Sequence, residues 1–391
     1  MSWQNLFFCK QFIYSCFFEG NSLVFKNIFK IFLFFERVIF MIYHPRIYTV
    51  ESVTSGHPDK ICDQISDAVL DACLQEDPLS RVAVETLGAH GLLVVAGEVT
   101  TQSKVDFESI ARSVYQDIGY EDTLKVLVNI VTQSQDIAEG VNHGGAGDQG
   151  IMYGFATNEN DVFLPQGIVL VHTFTRQLEM LRKTGLIPWL RPDGKAQVTF
   201  EDGHVRTILV SAQHAPDISQ EEVRAVLIEK LIQPLVDKEF SQKEILINPT
   251  GRFVQGGFEA DTGVTGRKLM VDTYGGLIPH GGGCFSGKDP SKVDRSAAYM
   301  CRFAAKNIVA NGFAKECLVA VSYAIGRSEP LMITGWNEEG TDLNGFIKKH
   351  FDFRPEAIIE RLNLRVPIYR KTATYGHFGD SQFPWEQIIS L

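Results

Sequence analysis

Four segments of the chain hold residue types and spacings that could do chemistry. The first is Gly56-His57-Pro58-Asp59-Lys60. It opens a helix whose free N–H groups and positive dipole end suit a phosphate. His57 and Lys60 add charge or hydrogen bonds at that end, and Asp59 is a candidate ligand for a divalent metal bridging phosphate oxygens. By spacing alone, a capped helix with solvated charges fits as well. The second is the glycine run from His280 to Asp289. Gly282, Gly287 and Lys288 fit part of a Walker phosphate loop, but Asp289 stands where a hydroxyl should meet magnesium, and Pro290 follows. No long apolar strand feeds the loop, so a P-loop NTPase is rejected. The glycines still permit close backbone approach to a ligand. Lys288 and Lys292 supply charge, and Asp294 is a second candidate metal ligand. A flexible surface loop is the alternative.

The third segment, Gly144 to Gly150, follows a polar stretch from Thr132 to His143 and reads as a gate or as a linker. The fourth is Asp261 to Lys268, where adjacent Arg267 and Lys268 after a glycine turn either clamp polyphosphate or form a basic surface turn. Glu85 and Glu98 lie in or beside apolar strand patterns, where a carboxylate is costly unless paired or bound to a cation. His214 and His377 have no metal-ligand spacing and read as structural. There is no Gly-x-Ser-x-Gly elbow and no kinase signature.

The elements that must position these residues alternate between strand and helix. Ile61, Ile65, Ala68, Val69, Ala72 and Cys73 recur at helical spacing, with Pro58 in the first turn and Asp77-Pro78 as the stop. Leu92 to Val99 and Leu124 to Val131 read as strands, and Asp106 caps a helix that Gly119 ends. Val198 to Phe200 and Thr207 to Ser211 read as strands, and Ser219 to Glu222 as a capping box. Lys268 to Val271 is expected as a short strand. Asp294 to Ala310 is expected as a helix, Leu318 to Ile325 as a strand, and Thr341 to His350 and Pro355 to Leu362 as helices. Three similar α+β units account for the length, each with helices on one face of its strands.

Composition sets the outer bounds. The chain has 391 residues and a net charge of −10, which argues against a nucleic-acid coat or a membrane-surface protein. Its seven cysteines are odd in number and contain no Cys-x-x-Cys pair, as expected of reduced thiols in a cytoplasmic protein without zinc. Residues 1–40 stand apart: they hold 11 of the 27 phenylalanines and leave a charge of −12 for the remainder. Their apolar run Ile31 to Phe35 is far short of a membrane span. No signal-peptide cleavage pattern follows. Met41 is the expected start, with 1–40 a Phe-rich extension outside the fold.

In this order the segments resemble the S-adenosylmethionine synthetase family. The strings that carry the resemblance are Glu51 to Lys60, Gly145-Ala146-Gly147-Asp148-Gln149-Gly150, and Asp272-Thr273-Tyr274-Gly275-Gly276 running on through Gly281-Gly282-Gly283 to Arg295. It covers about residues 43–386. It implies an α+β fold of three similar domains with pseudo-threefold symmetry, expected at 41–140, 141–255 and 256–391. It implies a homodimer with shared active sites, stacked in bacterial-type members into a homotetramer. The implied reaction joins ATP and L-methionine into S-adenosylmethionine and then cleaves tripolyphosphate to phosphate and pyrophosphate.

By motif match, the resemblance assigns catalysis to His57, Lys195, Arg267 and Lys288. It assigns ATP to these four with Asp193, Arg252, Phe253, Asp261, Lys268 and Cys284. Methionine falls to Glu98, Gln133, Asp261 and Lys292. Two Mg²⁺ per site fall to Asp59 and Asp294, and one K⁺ per subunit to Glu85. On this reading an acidic protein gathers its cations, Lys60 among them, where polyphosphate lies. Three departures from the family stand out. Tyr120 to Gly144 is short, in the loop expected to gate the site. Cys284 replaces a smaller residue and is an oxidation-sensitive thiol by position. Residues 1–40 have no counterpart. A non-catalytic regulatory paralogue would lose Asp59, Asp294 and the lysines, and a tripolyphosphatase would change Glu98 or Gln133; this chain keeps them all.

Overall fold

In the computed structural model, which describes residues 45–133, 144–236 and 244–391, β1 (Ile47–Val53) turns through Thr54 to His57 into α1 (Pro58–Glu76). Pro58 occupies the first helical position, where its missing N–H has no partner to lose. β2 (Arg81–Ala89) and β3 (Leu92–Thr100) form a hairpin. α2 (Phe107–Ile118) is capped by Asp106, whose carboxylate accepts from Ser109 N–H at 3.0 Å, and Gly119 ends it in the left-handed region. β4 (Lys125–Val131) and β5 (Gly150–Thr157) follow, then α3 (Gln166–Lys183), β6 (Leu190–Glu201) and β7 (His204–His214). α4 (Gln220–Leu227) starts at the expected capping box, Glu222 N–H donating to Ser219 Oγ at 3.2 Å. The last part holds β8 (Ile245–Ile247), β9 (Gly263–Val264), α5 (Leu269–Asp272), α6 (Val293–Ala310), β10 (Glu316–Tyr323) and β11 (Met332–Asn337). α7 (Asn344–His350), α8 (Pro355–Arg361) and α9 (Tyr369–Thr372) complete it.

Among the described residues the strands form three sheets, ordered β4-β3-β2-β9, β1-β6-β7-β8 and β11-β10-β5. α1 packs on β2, α3 on β6 and β1, and α6 on β5 and β10, so one arrangement of sheet and long helix occurs three times. This is the α+β architecture the resemblance implied. Each sheet also takes a strand from a distant stretch of chain: β9 joins β2, β1 joins β6, and β5 joins β10. The three long helices bury apolar faces through Ile61, Ile65 and Val69, through Ile168, Val171 and Phe174, and through Ala297, Cys301 and Ile308. This interleaving brings turns from all parts of the chain to the N-terminal end of α1.

Two expectations change, and one helix is new. Lys268 to Val271 is not a strand: Asp272 N–H closes a helical turn on the Lys268 carbonyl at 2.9 Å, and four apolar-leaning residues carry too little periodicity to tell the two apart. The strands at 198–200 and 207–211 extend to the full lengths of β6 and β7. α3 is not evident from periodicity because His172 and Thr175 interrupt its apolar face; both are buried, and Ser52 Oγ reaches His172 Nδ1 at 2.8 Å and Thr175 Oγ1 at 3.0 Å. Residues 1–40, and residues 134–143 of the expected gate, lie outside the described residues.

Candidate active site

The register of β1 on β6 sets Val53 opposite Lys195, so the turn after β1 lies along the strand that carries Asp193 and Lys195. The approach is close: a Cβ on Gly56 would fall 2.4 Å from the Pro192 carbonyl carbon, so only glycine fits there. Tyr120 Oη donates to the Gly56 carbonyl at 2.7 Å and fixes the turn from the other side. β9 brings the basic turn to the same place, with Val264 N–H donating to Asp59 Oδ1 at 3.0 Å.

His57, Asp59, Lys195, Arg267 and Lys268 meet at this point. Asp59 is 2% exposed, and its carboxylate takes Lys268 Nζ at 2.5 Å and faces Arg267 Nε at 3.4 Å. His57 is buried, and its Nδ1 accepts the Asp59 N–H at 3.2 Å, which leaves the ring proton on Nε2. Burial first, then the charges of Lys268, Lys195, Lys60 and Arg267, pushes the His57 imidazole down to about 2. It is a neutral N–H donor at physiological pH, ringed by cations. Asp193 Oδ2 accepts from Gly257 N–H at 2.9 Å, while Oδ1 is buried with no partner. Burial raises its carboxyl to about 6 against the pull of Gly257 N–H and Lys195. Gln213 ties this strand to Phe253's neighbour, accepting from Asp193 N–H at 3.1 Å and donating to the Val254 carbonyl at 2.9 Å. Phe253 N–H donates to His214 Nε2 at 3.2 Å, which accounts for that histidine structurally. Arg252 and Asp261 are exposed on the flanking turns.

A second group forms where the glycine run docks along β2. Gly287, at φ +80°, lies so close that a Cβ would fall 1.9 Å from the Val84 carbonyl oxygen. Lys288 bridges Ala83. Asp289, which spoils the Walker pattern, anchors the loop instead, as Oδ2 accepts from Val82 N–H at 2.7 Å and pairs with Lys292. Lys288 Nζ meets Asp294 Oδ2 at 2.6 Å. Burial opposes the Lys288 charge, but Cys284, Asp294 and Glu85 raise its pKa above the ordinary lysine value.

Glu85 and Glu98 lie in the apolar strands β2 and β3, as their sequence context suggested, but not on the buried face. The strand pairing sets Glu85 opposite Ala96 and Ala83 opposite Glu98, so both carboxylates share the outward face and are exposed. Val82, Val84 and Thr86 take the buried face. Glu98 lies opposite Val131 on β4, close to where Gln133 leaves the strand with a buried, unpartnered Oε1. Lys60 differs from the expectation. It is 0% exposed and paired with Asp63 at 2.9 Å and with Asp272, so its charge acts on His57 from within the core while its ammonium is taken by carboxylates and not offered to a phosphate. Burial opposes its charge, and these two carboxylates outweigh burial and hold its pKa high. Asp63, Asp67 and Asp272 escaped sequence reading, although Asp59, Asp63 and Asp67 recur at every fourth residue of one helix.

The arrangement can be set beside known proteins. Residues 45–139, 143–253 and 255–387 match, in order, the N-terminal, central and C-terminal domains of S-adenosylmethionine synthetase. The S-adenosylmethionine synthase of Pseudothermotoga lettingae is 51% identical over 385 residues, covering 88% of this chain and 97% of its own length. Those of Petrotoga mobilis and Desulforudis audaxviator are 49% and 50% identical, each over 88% of this chain and 96% of their own. The chain belongs to the S-adenosylmethionine synthetase family. The donor sets bear on the metals the family implies. Among the described residues no three His, Cys, Asp or Glu side chains gather into a metal cage. Asp59 and Asp294 stand instead as single carboxylates beside cations. That suits Mg²⁺, which binds through one or two carboxylates plus phosphates and keeps several waters. Glu85 offers one exposed carboxylate near Lys288, one member of a K⁺ shell and no more.

Proposed function

We propose that the chain is a methionine adenosyltransferase. It joins ATP and L-methionine into S-adenosylmethionine, then hydrolyses the tripolyphosphate to phosphate and pyrophosphate. The observation that carries this reading is the surplus of positive charge about Asp59: Lys268 and Arg267 against one carboxylate, with Lys195 close enough to depress the neutral His57. The methionine thioether is nucleophilic without a base, so its sulfur attacks C5′ and charge develops on the departing triphosphate. Catalysis is then mostly positioning and electrostatic stabilisation. On this reading His57 donates Nε2–H near the breaking bond, and Lys195, Arg267, Lys268 and Lys288 take the phosphates. The unpartnered Asp193 Oδ1 accepts from the nucleoside, flanked by Arg252, Phe253, Asp261 and Cys284. Glu98, Gln133, Asp261 and Lys292 receive methionine. Mg²⁺, two per site, would be held by Asp59 and Asp294 together with substrate phosphates and would neutralise charge on the leaving group. K⁺ falls to Glu85.

The two cation groups read as half-sites completed across a homodimer, with a homotetramer as the full assembly. The domains follow as 41–140, 141–255 and 256–391. No described helix is long and apolar enough to cross a membrane, and the reading places the enzyme in the cytoplasm. The test is to incubate the full chain with ATP, L-methionine, Mg²⁺ and K⁺ and to quantify products. S-adenosylmethionine, phosphate and pyrophosphate in equal amounts are expected. Phosphate without S-adenosylmethionine, or no turnover, overturns the reading.

A further inference from the structure

α1 carries Asp59, Asp63, Asp67 and Asp71, one at each turn, and each accepts backbone N–H groups from another segment. Asp59 takes Val264 at 3.0 Å, Asp63 takes Gly266 at 2.8 Å, and Asp67 takes Gly287 at 2.8 Å. Asp71 takes Tyr369 at 2.8 Å and Arg370 at 2.9 Å. A spacing of four keeps these carboxylates on one helix face. Hydrogen bonds to an ionised acceptor are roughly twice as strong as neutral ones.

The middle two rungs differ from the last in what they hold. Gly266 directly precedes Arg267 and Lys268, and Gly287 directly precedes Lys288. Both aspartates are 0% exposed, and each is tethered by its own buried cation. Lys60 Nζ lies 2.9 Å from Asp63, and Arg295 meets both oxygens of Asp67 at 2.8 Å. Lys60 also pairs with Asp272, at the end of the short helix that follows Lys268, so the basic turn is held at both ends.

We propose that Asp63 and Asp67 are positioning residues for the polyphosphate-binding cations: through the N–H groups of Gly266 and Gly287 they fix the Arg267–Lys268 turn and the Lys288 loop, one in each half-site, at set heights on one rigid helix. This rests on the reading that these cations bind the ATP triphosphate. Misplacement by about 1 Å can cost on the order of a hundredfold in rate, so the fixed register carries catalytic weight.

The experiment compares Asp63→Asn with Asp71→Asn in the full chain. Asparagine has one acceptor oxygen where Asp63 serves two donors, so the turn or Lys60 must face an amide N–H. Tripolyphosphate affinity, read by calorimetry on folded protein, should weaken roughly tenfold in Asp63→Asn. The kcat should fall by about tenfold or more, with the methionine KM within about twofold. Asp71→Asn, which disturbs the same helix but holds the Tyr369–Arg370 turn, whose cations are not assigned to the phosphates, should lower stability and leave all three constants unchanged. If Asp63→Asn does not fold, Gly266→Ala carries the test: at φ +80° and with Cys284 Cβ 2.7 Å from the added methyl, it moves the turn off its rung and should weaken tripolyphosphate equally. Unchanged affinity and kcat in folded Asp63→Asn, or in Gly266→Ala where that variant is the one tested, would overturn the proposal. Wild-type chain that binds tripolyphosphate but makes no S-adenosylmethionine would sink the reaction assigned above. The affinity ratio of the variants would still decide the positioning role.

Discussion

Asp59 and Lys60 are neighbours at the start of α1 and meet opposite surroundings. Asp59 is one carboxylate facing two cations, Lys268 at 2.5 Å and Arg267 at 3.4 Å. Lys60 is one ammonium facing two carboxylates, Asp63 and Asp272, in a fully buried position. Burial raises the Asp272 carboxyl well above its usual range, so a proton can remove the excess negative charge and close that pocket electrically. At Asp59 the count runs the other way, two cations against one carboxylate. The positive surplus there is left for an anion from outside. The type of residue does not separate structural charge from ligand-binding charge; the local balance does.

The largest expected effect breaks the closed pocket. Lys60→Met strands Asp63 and Asp272 in the interior and should cost about 3–5 kcal/mol of stability, read from urea unfolding. Lys268→Met should cost less than Lys60→Met, since Asp59 keeps Arg267 and the Val264 N–H, yet it should weaken tripolyphosphate binding. The reverse pattern would destroy the contrast. Next in size is Lys288→Ala. Removing a cation from the developing triphosphate charge should lower kcat by about a hundredfold with little change in the urea midpoint. Unchanged turnover would take Lys288 out of the site.

Asp193 sharpens the comparison from the acid side. Its carboxyl sits at about 6, so it is ionised above that pH and protonated below. If its unpartnered Oδ1 accepts from the nucleoside, the KM for ATP should rise severalfold as pH falls from 7.5 to about 5.5. Asp193→Asn should flatten that profile. A wild-type profile flat across this window would remove Asp193 from the nucleoside contact.

How much of this was legible in the sequence follows the same division. The ends of α1 and α2 were readable because Pro58, Asp106 and Gly119 act locally. The basic turn and the glycine run announced themselves through adjacent charges and unusual glycine density. Lys60 was misread as a phosphate cation because its partner Asp272 lies 212 residues away, and one-dimensional spacing cannot show which charge surplus a lysine joins. Glu85 and Glu98 lie in apolar strand patterns yet face outward, because the β2–β3 register, not the local apolar count, decides which face a side chain takes. α3 carries no clean apolar stripe in the sequence, because His172 and Thr175 lie on its buried face and their partner Ser52 comes from β1.

The smallest effect concerns Cys284. Its place in the glycine run suggests an oxidation-sensitive thiol beside the nucleotide, and Lys288 nearby would favour the reactive thiolate. Burial works against this, and together with Asp63, Glu85 and Asp294 it raises the thiol above its ordinary value despite the lysine. The thiolate is the species that reacts with oxidants and alkylating agents, so Cys284 should be slow toward iodoacetamide at pH 7. Bound tripolyphosphate would slow it further by adding negative charge near the sulfur. Cys284→Ala should therefore keep kcat within about twofold of the wild type. It should gain little resistance to mild peroxide. Rapid labelling of Cys284 at pH 7, mapped by mass spectrometry, would show that Lys288 outweighs burial. It would place this thiol with the open positive surplus at Asp59 and not with the closed balance at Lys60.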